Sequence, residues 1–145
     1  MPITVKKIAL WRTEVDNKPG ALARSLEPAA KAGADLKVMM GYRHPNAPGK
    51  AAIEVFPITG KKLATAAGAA GLNAAPIPTL LVEGDDQPGL GYSIAQALGA
   101  AEINIAFLVA HVIGTKFAAV IGFESDDDAR KATPMIKKAA APRRA

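Results

Sequence analysis

One loop sequence occurs twice in this chain, as DNKPGALARSL at Asp16–Leu26 and as DDQPGLGYSIA at Asp85–Ala95. The two copies align on their prolines, Pro19 and Pro88, so the sequence repeats at close to half the length of the chain. A self-similarity of this kind, with strand and helix patterns inside it, indicates two copies of one domain. The repeated part is a polar loop, which the packing of a core does not require. We therefore look for function at this loop.

Hydrophobic alternation and turn residues predict the same order of elements around each loop. For the first copy they predict strand Ile8–Val15, a helix from Pro19 to about Gly33, strands Asp35–Tyr42 and Lys50–Phe56, helix Lys61–Ala70 and strand Asn73–Ile77. For the second copy they predict Thr79–Glu83, Gly89–Ala100, Ile103–Ile113, Phe117–Phe123 and Asp127–Lys138. The order βαββαβ is the ferredoxin-like motif. The sequence therefore predicts an α+β fold of two tandem ferredoxin-like domains, each an antiparallel sheet with helices on one face.

The expected boundaries are residues 1–77 for the first domain and 78–138 for the second, followed by a disordered tail at 139–145. No strand pattern follows the last helix, so the second sheet is expected to lack its fourth strand. An unpaired sheet edge invites a partner strand. Domains of this size are also marginal alone. We therefore expect a homodimer.

Charge and composition narrow the classes of function. The net charge is +5, but the lysines and arginines of the first half are scattered and aromatic residues make up 5% of the chain. Nucleic-acid readers concentrate positive charge on one face and add exposed aromatics, so no nucleic-acid partner is expected. No segment has the length or apolar content of a membrane span or signal peptide. The expected location is the cytoplasm, without membrane association.

Catalytic and metal chemistry have few candidates. The chain has no cysteine and two histidines, His44 and His111, which are far apart in the sequence. No nucleophile motif, phosphate-loop lysine or pair of buried carboxylates is evident. We expect no catalytic residues, no metal site and no cofactor. The acidic run at Asp126–Asp128 is expected to support the N-terminus of the last helix.

The repeated loop places a proline and a glycine at the start of a helix, where backbone N–H groups are free and the helix dipole is positive. A glycine there, Gly20 or Gly89, leaves room for a carboxylate or phosphate. The side chains of Asn17 and Asp86 stand beside it as acceptors for an ammonium or hydroxyl group. Together they suit an α-amino acid. The competing interpretation is that these residues only cap and start the helix.

The motif D-x-x-P-G, followed by an apolar helix and a strand opening with ADL or INI, resembles the ACT domain family over residues 5–138. The tandem arrangement is similar to that of small proteins made of two ACT domains. The resemblance implies a regulatory protein that binds amino acids or similar small ligands at domain interfaces, with no catalysis.

The resemblance also implies which residues hold the ligand. In amino-acid-binding members an asparagine precedes the motif proline and a second asparagine opens the next strand. Each copy here has one of the two, with aspartate in place of the other. The implied ligand-binding residues are Asn17, Gly20, Ala21, Asp35, Asp86, Gly89, Leu90 and Asn104. The alternative is a structural or assembly module whose ligand sites have decayed.

Overall fold

The computed structural model describes residues 3–141, and these residues contain eight strands and four helices. They form two compact units. The first unit is residues 9–76, and the second unit is residues 77–141 together with residues 3–8. Each unit holds one copy of the repeated loop and one four-stranded antiparallel sheet. The expected α+β fold class is thereby confirmed.

The first unit has the expected element order. Its elements are β2 (Trp11–Asp16), α1 (Ala21–Lys31), β3 (Val38–Arg43), β4 (Lys50–Phe56), α2 (Gly60–Ala69) and β5 (Asn73–Ala74). The sheet order is β3-β4-β2-β5. Alternate residues of the strands, among them Ile53 and Val55, form a core with Ala67 of α2 and Leu72. The helices therefore lie over one face of the sheet.

The second unit repeats this arrangement. Its elements are β1 (Thr4–Ile8), β6 (Thr79–Asp85), α3 (Leu90–Ala100), β7 (Ile105–Ile113), β8 (Lys116–Phe123) and α4 (Asp126–Ala139). The sheet order is β1-β6-β8-β7. Leu90, Ile94 and Leu98 stand one helical turn apart along α3, so they share one helix face and pack in the core.

Strand β1 corrects the expectation that the second sheet lacks a fourth strand. It pairs antiparallel with β6, with Thr4 opposite Glu83 and Ile8 opposite Thr79. Val5 of β1 packs against the core of the second unit. Residues 4–8 supply this strand, whereas no strand pattern follows α4 in the sequence. The edge beside β6 is therefore filled within the chain.

The same strand changes two other expectations. The predicted strand Ile8–Val15 is two strands in different units, separated at Ala9 and Leu10. The expected first domain of residues 1–77 differs at its start, because residues 3–8 belong with the second unit. The disordered tail was expected to begin at residue 139, but Ala139 is the last residue of α4 and Ala140 is its C-cap. Residues 142–145 lie outside the described part of the chain.

Helix α4 shows why the acidic run stands where it does. Ser125 accepts a hydrogen bond from the backbone N–H of Asp128 at 3.0 Å and so caps the helix. The three aspartates occupy the first turn, and Lys137 and Lys138 occupy the last. Both placements complement the helix dipole. The run Asp126–Asp128 thus lies at the N-terminus of the last helix, as the sequence predicted.

Candidate functional site

The repeated loop forms the same backbone corner in both units. Gly20 precedes α1 with a φ of 87°, and Gly89 precedes α3 with a φ of 81°. A side chain in this left-handed region clashes with the following carbonyl, so glycine is favoured at both positions. The repeated glycine therefore has a conformational reason, and it also leaves the front of each helix without a side chain.

An ion pair fixes the strand end that leads into each corner. Lys50 Nζ lies 2.7 Å from Asp16 Oδ1, and the two residues are direct partners in the pairing of β2 with β4. Lys116 and Asp85 form the corresponding pair between β6 and β8. The hydrogen bond from Lys50 holds the pKa of the Asp16 carboxyl below its ordinary value of 3.8. The hydrogen bond from Lys116 lowers the pKa of Asp85 in the same direction.

A backbone hydrogen bond ties the next residue of each loop to the neighbouring hairpin. The N–H of Asn17 donates to the carbonyl of Gly49, and the N–H of Asp86 donates to the carbonyl of Thr115, both at 2.9 Å. Asn17 Nδ2 also lies 3.4 Å from the carbonyl oxygen of Pro48. The side-chain amide of Asn17 is thus directed at its own hairpin, and its Oδ1 is the atom left to accept from a ligand.

The two corners differ in what covers the glycine. A Cβ atom placed on Gly20 would lie 2.8 Å from Nη1 of Arg24, whereas one placed on Gly89 would meet no atom within 4 Å. Arg24 follows Gly20 by one helical turn, and helical side chains lean toward the N-terminus of their helix. Its exposed guanidinium therefore lies over the first corner. This position adds a full positive charge where the helix dipole is already positive.

Two open cavities flank the first corner. One has a volume of about 420 Å³ and is bordered by Glu14, Lys18, Arg24 and Lys50. The other, of about 220 Å³, extends under the first turn of α1 toward β3 and β4. Both are lined by Val15, Asp16, Lys18 and Ala21. The first unit therefore offers space, cations and carboxylates around its motif loop.

The matching places in the second unit are filled differently. Leu90, which aligns with Ala21, is 3% exposed and belongs to the core. Gln87, which aligns with Lys18, donates from Nε2 to the carbonyl of Ala140 at 3.2 Å and so joins the motif loop to the end of α4. The side chain of Leu90 is thus part of the core, and only the backbone of Leu90 could contact a ligand.

The remaining predicted residues lie away from the corners within their own units. Asp35 follows the C-terminal end of α1, a helix of 11 residues and so about 16 Å long, and pairs with Lys37 at 2.6 Å. Asn104 follows α3, and its Nδ2 donates to Glu124 at 2.7 Å. In the first unit the motif residues Asn17, Gly20 and Ala21 lie together, and Asp35 lies apart from them. In the second unit Asp86, Gly89 and Leu90 lie together, and Asn104 lies apart from them.

The predicted site residues did not include the basic residues at the corners, Lys18, Arg24, Lys50 and Lys116. A signal for Arg24 was present, because a residue one helical turn after the motif glycine lies on the same helix face. The two strand lysines stand closer together in the sequence than the two motif prolines do, because the hairpin of the second copy is shorter. A fixed repeat offset therefore does not align them.

A second polar cluster lies on the sheet face of the first unit that faces away from the helices. Glu54 is 2% exposed and accepts a hydrogen bond from the hydroxyl of Tyr42 at 3.0 Å. Arg12, its partner across β2 and β4, donates to Glu14 at 3.1 Å. Burial, and then the hydrogen bond and charge of Glu54, raise the pKa of Tyr42, while Arg12 opposes the shift.

Residues 3–141 offer neither a membrane-spanning helix nor an evident metal site. Within this range no helix is long and apolar enough to cross a membrane. The same residues contain no group of three or more His, Cys, Asp or Glu side chains placed to hold a metal ion.

No protein-family model matches the chain, and no curated protein matches it. Among solved structures the chain is similar to a protein of Bacteroides thetaiotaomicron, with 16% identity, a TM-score of 0.70, and 90% of this chain and 87% of that chain covered. It is also similar to the regulatory subunit of aspartate kinase from Thermus thermophilus, with 15% identity, a TM-score of 0.62, and 96% and 97% covered. The aspartate kinase of Clostridium acetobutylicum gives 15% identity and a TM-score of 0.62 over 95% of this chain and 34% of that chain. At these identities the similarity shows a shared fold.

Proposed function

We propose that this protein is a non-catalytic regulator that senses a small amino-acid-like ligand at the motif corner of its ACT-like fold. The observation that carries the proposal is the repeated corner, a left-handed glycine at a helix start beside an ion-paired strand end. Similarity to the regulatory subunit of an aspartate kinase supports a regulatory role. We extend that role to this chain as part of the proposal.

The first corner has the charges that a zwitterion needs. Arg24 and Lys18 border it as cations for a carboxylate, together with the free N–H groups of α1. Asp16 and Oδ1 of Asn17 are acceptors for an ammonium group. Two neighbouring points of opposite charge select an α-amino acid over a simple anion.

We also propose that the protein is a homodimer joined through β7. This strand lies at the edge of its sheet and contains no Asp, Glu, Lys or Arg. Val109 and Ile113 on it are 46% and 72% exposed. The opposite edge, β1, carries Lys6 and Lys7, which discourage strand addition. An antiparallel pairing of two β7 strands would extend the sheet without placing like charges opposite each other.

Ligand binding would act by population shift. A ligand that contacts one arrangement of the dimer better than another moves the equilibrium by its difference in affinity. The two copies of the chain would change their arrangement in the dimer, and this change would alter the activity of a partner enzyme. The cytoplasmic location expected from the sequence stays a prediction.

The test is isothermal titration calorimetry of the full chain against each standard amino acid in turn. Arg24→Ala is expected to weaken binding by about tenfold to a hundredfold, because a hydrogen bond to a charged group contributes about 1.5–3 kcal/mol. Arg130→Ala is the matched control, since Arg130 is an exposed arginine of α4 paired with Asp127. Equal affinity in both variants would remove the first corner from the proposal, and no heat with any amino acid would end it.

The alternative function is a structural or assembly module whose ligand sites have decayed. The guanidinium over Gly20 and the buried Leu90 favour it, and so does the division of the two asparagines between the copies. It predicts a dimer whose melting temperature responds to no amino acid. The same calorimetric series separates the two functions.

A further inference from the structure

The smaller cavity of the first unit lies between the first turn of α1 and the ends of three strands. Its walls are apolar and comprise Val15, Ala21, Leu22, Gly41, Ala51 and Ile53. Leu22 Cδ1 would lie 4.0 Å from a Cβ atom on Gly41, so the leucine forms the wall beside β3. The motif residues Asp16, Asn17 and Lys18 and the side chain of Arg43 border the same cavity.

Strand register identifies the corresponding place in the second unit. Ala51 pairs with Val15 on one side and Arg43 on the other. Phe117 pairs with Gly84 and Val112 in the same way. Ala51 and Phe117 therefore occupy equivalent positions, although their spacing in the sequence is shorter than that of the motif prolines. Ala21 and Leu90 are equivalent as the first residues of α1 and α3.

The equivalent place in the second unit is filled. Phe117 is 6% exposed and Leu90 is 3% exposed, and both belong to the core of that unit. In the first unit alanine stands at both positions. Val15 and Ile53 are larger than their counterparts Gly84 and Ala119. In the first unit these two side chains line the cavity, and the small side chains of Ala21 and Ala51 leave it empty.

The size and lining of the cavity suit an aliphatic group. A cavity of about 150 Å³ has room for a molecule of the size of benzene. The volume here is about 220 Å³, and it opens beside Lys18 and Arg43, which suit a carboxylate. A ligand with a branched aliphatic group on one side and a carboxylate on the other matches both features.

We propose that this cavity is the subsite for the aliphatic group of a branched-chain carboxylate ligand, and that the first unit carries this subsite while the second does not. The inference rests on the proposed ligand-sensing function and names the chemical class of the ligand. Two sources share this chemistry, branched aliphatic amino acids and their 2-oxo acids. The second unit then has a structural role, because its equivalent space is part of its core.

The test titrates the full chain with L-valine, L-leucine and L-isoleucine, with their 2-oxo acids, and with glycine, L-aspartate and L-lysine as ligands that lack a branched aliphatic group. Two variants introduce the residues of the second unit, Ala51→Phe and Ala21→Leu. Burial of a branched side chain accounts for about tenfold or more in affinity, so each variant is expected to lose at least about that factor. Matched controls in the same unit are Ala74→Phe, on an exposed strand, and Ala23→Leu, on the exposed side of α1.

Each outcome decides between the two proposals. Binding of the branched ligands that both filling variants lose and both controls keep supports the subsite, and the amino or oxo arm identifies the source. Binding of a standard amino acid that is unchanged in Ala51→Phe and Ala21→Leu overturns the subsite and leaves the sensing function standing. Binding of only glycine, aspartate or lysine has the same consequence. No binding by the folded wild type overturns both. Should Ala51→Phe not fold, Ala21→Leu gives the decision alone.

Discussion

Lys50 Nζ lies 2.7 Å from Asp16 Oδ1 where β2 passes into the motif loop. The pair is directly cross-strand, so its geometry follows from strand register and not from chance surface contact. Lys116 and Asp85 repeat it in the second unit. Two unlike hairpins thus place a lysine opposite the motif aspartate, which indicates that the pair serves to hold the loop.

Lys50→Met is expected to return the pKa of Asp16 toward its ordinary value, because the hydrogen bond from Lys50 is the largest cause of the lowered pKa. Carbon-detected NMR titration of the Asp16 carboxyl measures this shift. Because the folded-state pKa lies below the unfolded one, the stabilisation is complete above about pH 3.9 and is lost as the pH falls through the folded pKa. The melting temperatures of variant and wild type should therefore converge in acid.

Lys31→Met is the control for this experiment. Lys31 forms an equally short ion pair with Glu27 near the other end of α1. Its removal should leave the Asp16 pKa unchanged. An Asp16 pKa that stays low in Lys50→Met would show that Lys50 is not the cause of the lowered pKa.

Gly20→Ala and Gly89→Ala are each expected to destabilise the protein by about 1–2 kcal/mol, the cost of a left-handed conformation for a residue with a Cβ. The Arg24 side chain over Gly20 is flexible, so its displacement should add little to that cost. Gly99→Ala is the control, and its effect on stability is expected to have the opposite sign. It lies in helix α3 with no atom within 4 Å of an added Cβ, and its φ is not positive.

Gly99→Ala should therefore stabilise by up to about 1 kcal/mol through helix propensity. Urea unfolding followed by circular dichroism measures all three changes. A neutral Gly89→Ala would show that the corner relaxes out of the left-handed region, and the conformational reason for the repeated glycine would be lost.

Local pattern was enough to predict most of the fold. Strand β4 begins and ends at the predicted residues, Lys50 and Phe56, and helix α2 begins at Gly60 where Lys61 was expected. Both have strong periodicity and clear turn residues at their ends. The fourth strand of the second sheet was missed because β1 pairs with β6, which follows the whole first unit in the sequence. Pairing at such separation leaves no local signal, and Ile8–Val15 alternates well enough to resemble one strand.

The candidate site was predictable only where the repeat is strict. Gly20 and Gly89 were identified because the motif is repeated, and their left-handed conformation explains why glycine stands at both places. The contrast between Ala51 and Phe117 was hidden, because hairpins of different length break the alignment between the motif and β4 or β8. Arg24 was overlooked because its counterpart, Ser93, has different chemistry. A comparison of the two copies identifies residues that they share, so it misses residues that differ between them.

Glu54→Gln is expected to lower the pKa of Tyr42, because the buried carboxylate disfavours the tyrosinate. Burial of Tyr42 remains, so the fall should be partial. Ultraviolet titration in a Tyr92→Phe background isolates the signal, since the chain has two tyrosines. The raised folded-state pKa means that the stabilisation is complete below about pH 10 and is lost as the pH rises through the folded value.

Tyr42→Phe tests the same contact by stability. It removes the hydroxyl that donates to Glu54 at 3.0 Å and is expected to cost about 1–3 kcal/mol, because the buried carboxylate of Glu54 loses a donor. Tyr92→Phe, at a residue that is 67% exposed, should be neutral. If Glu54→Gln left the Tyr42 pKa in place, the charge of Glu54 would not be acting on the phenol.

Val109→Lys is expected to convert the proposed dimer into a monomer. In an antiparallel pairing centred on Val109, the substitution places two ammonium groups opposite each other, and like charges at such a position destabilise a strand pair. Light scattering after size exclusion measures the mass across a range of protein concentrations. Thr4→Lys, on the exposed opposite edge of the same sheet, is the matched control and should leave the mass unchanged. A wild-type monomer, or a dimer that persists in Val109→Lys, would rule out β7 as the interface.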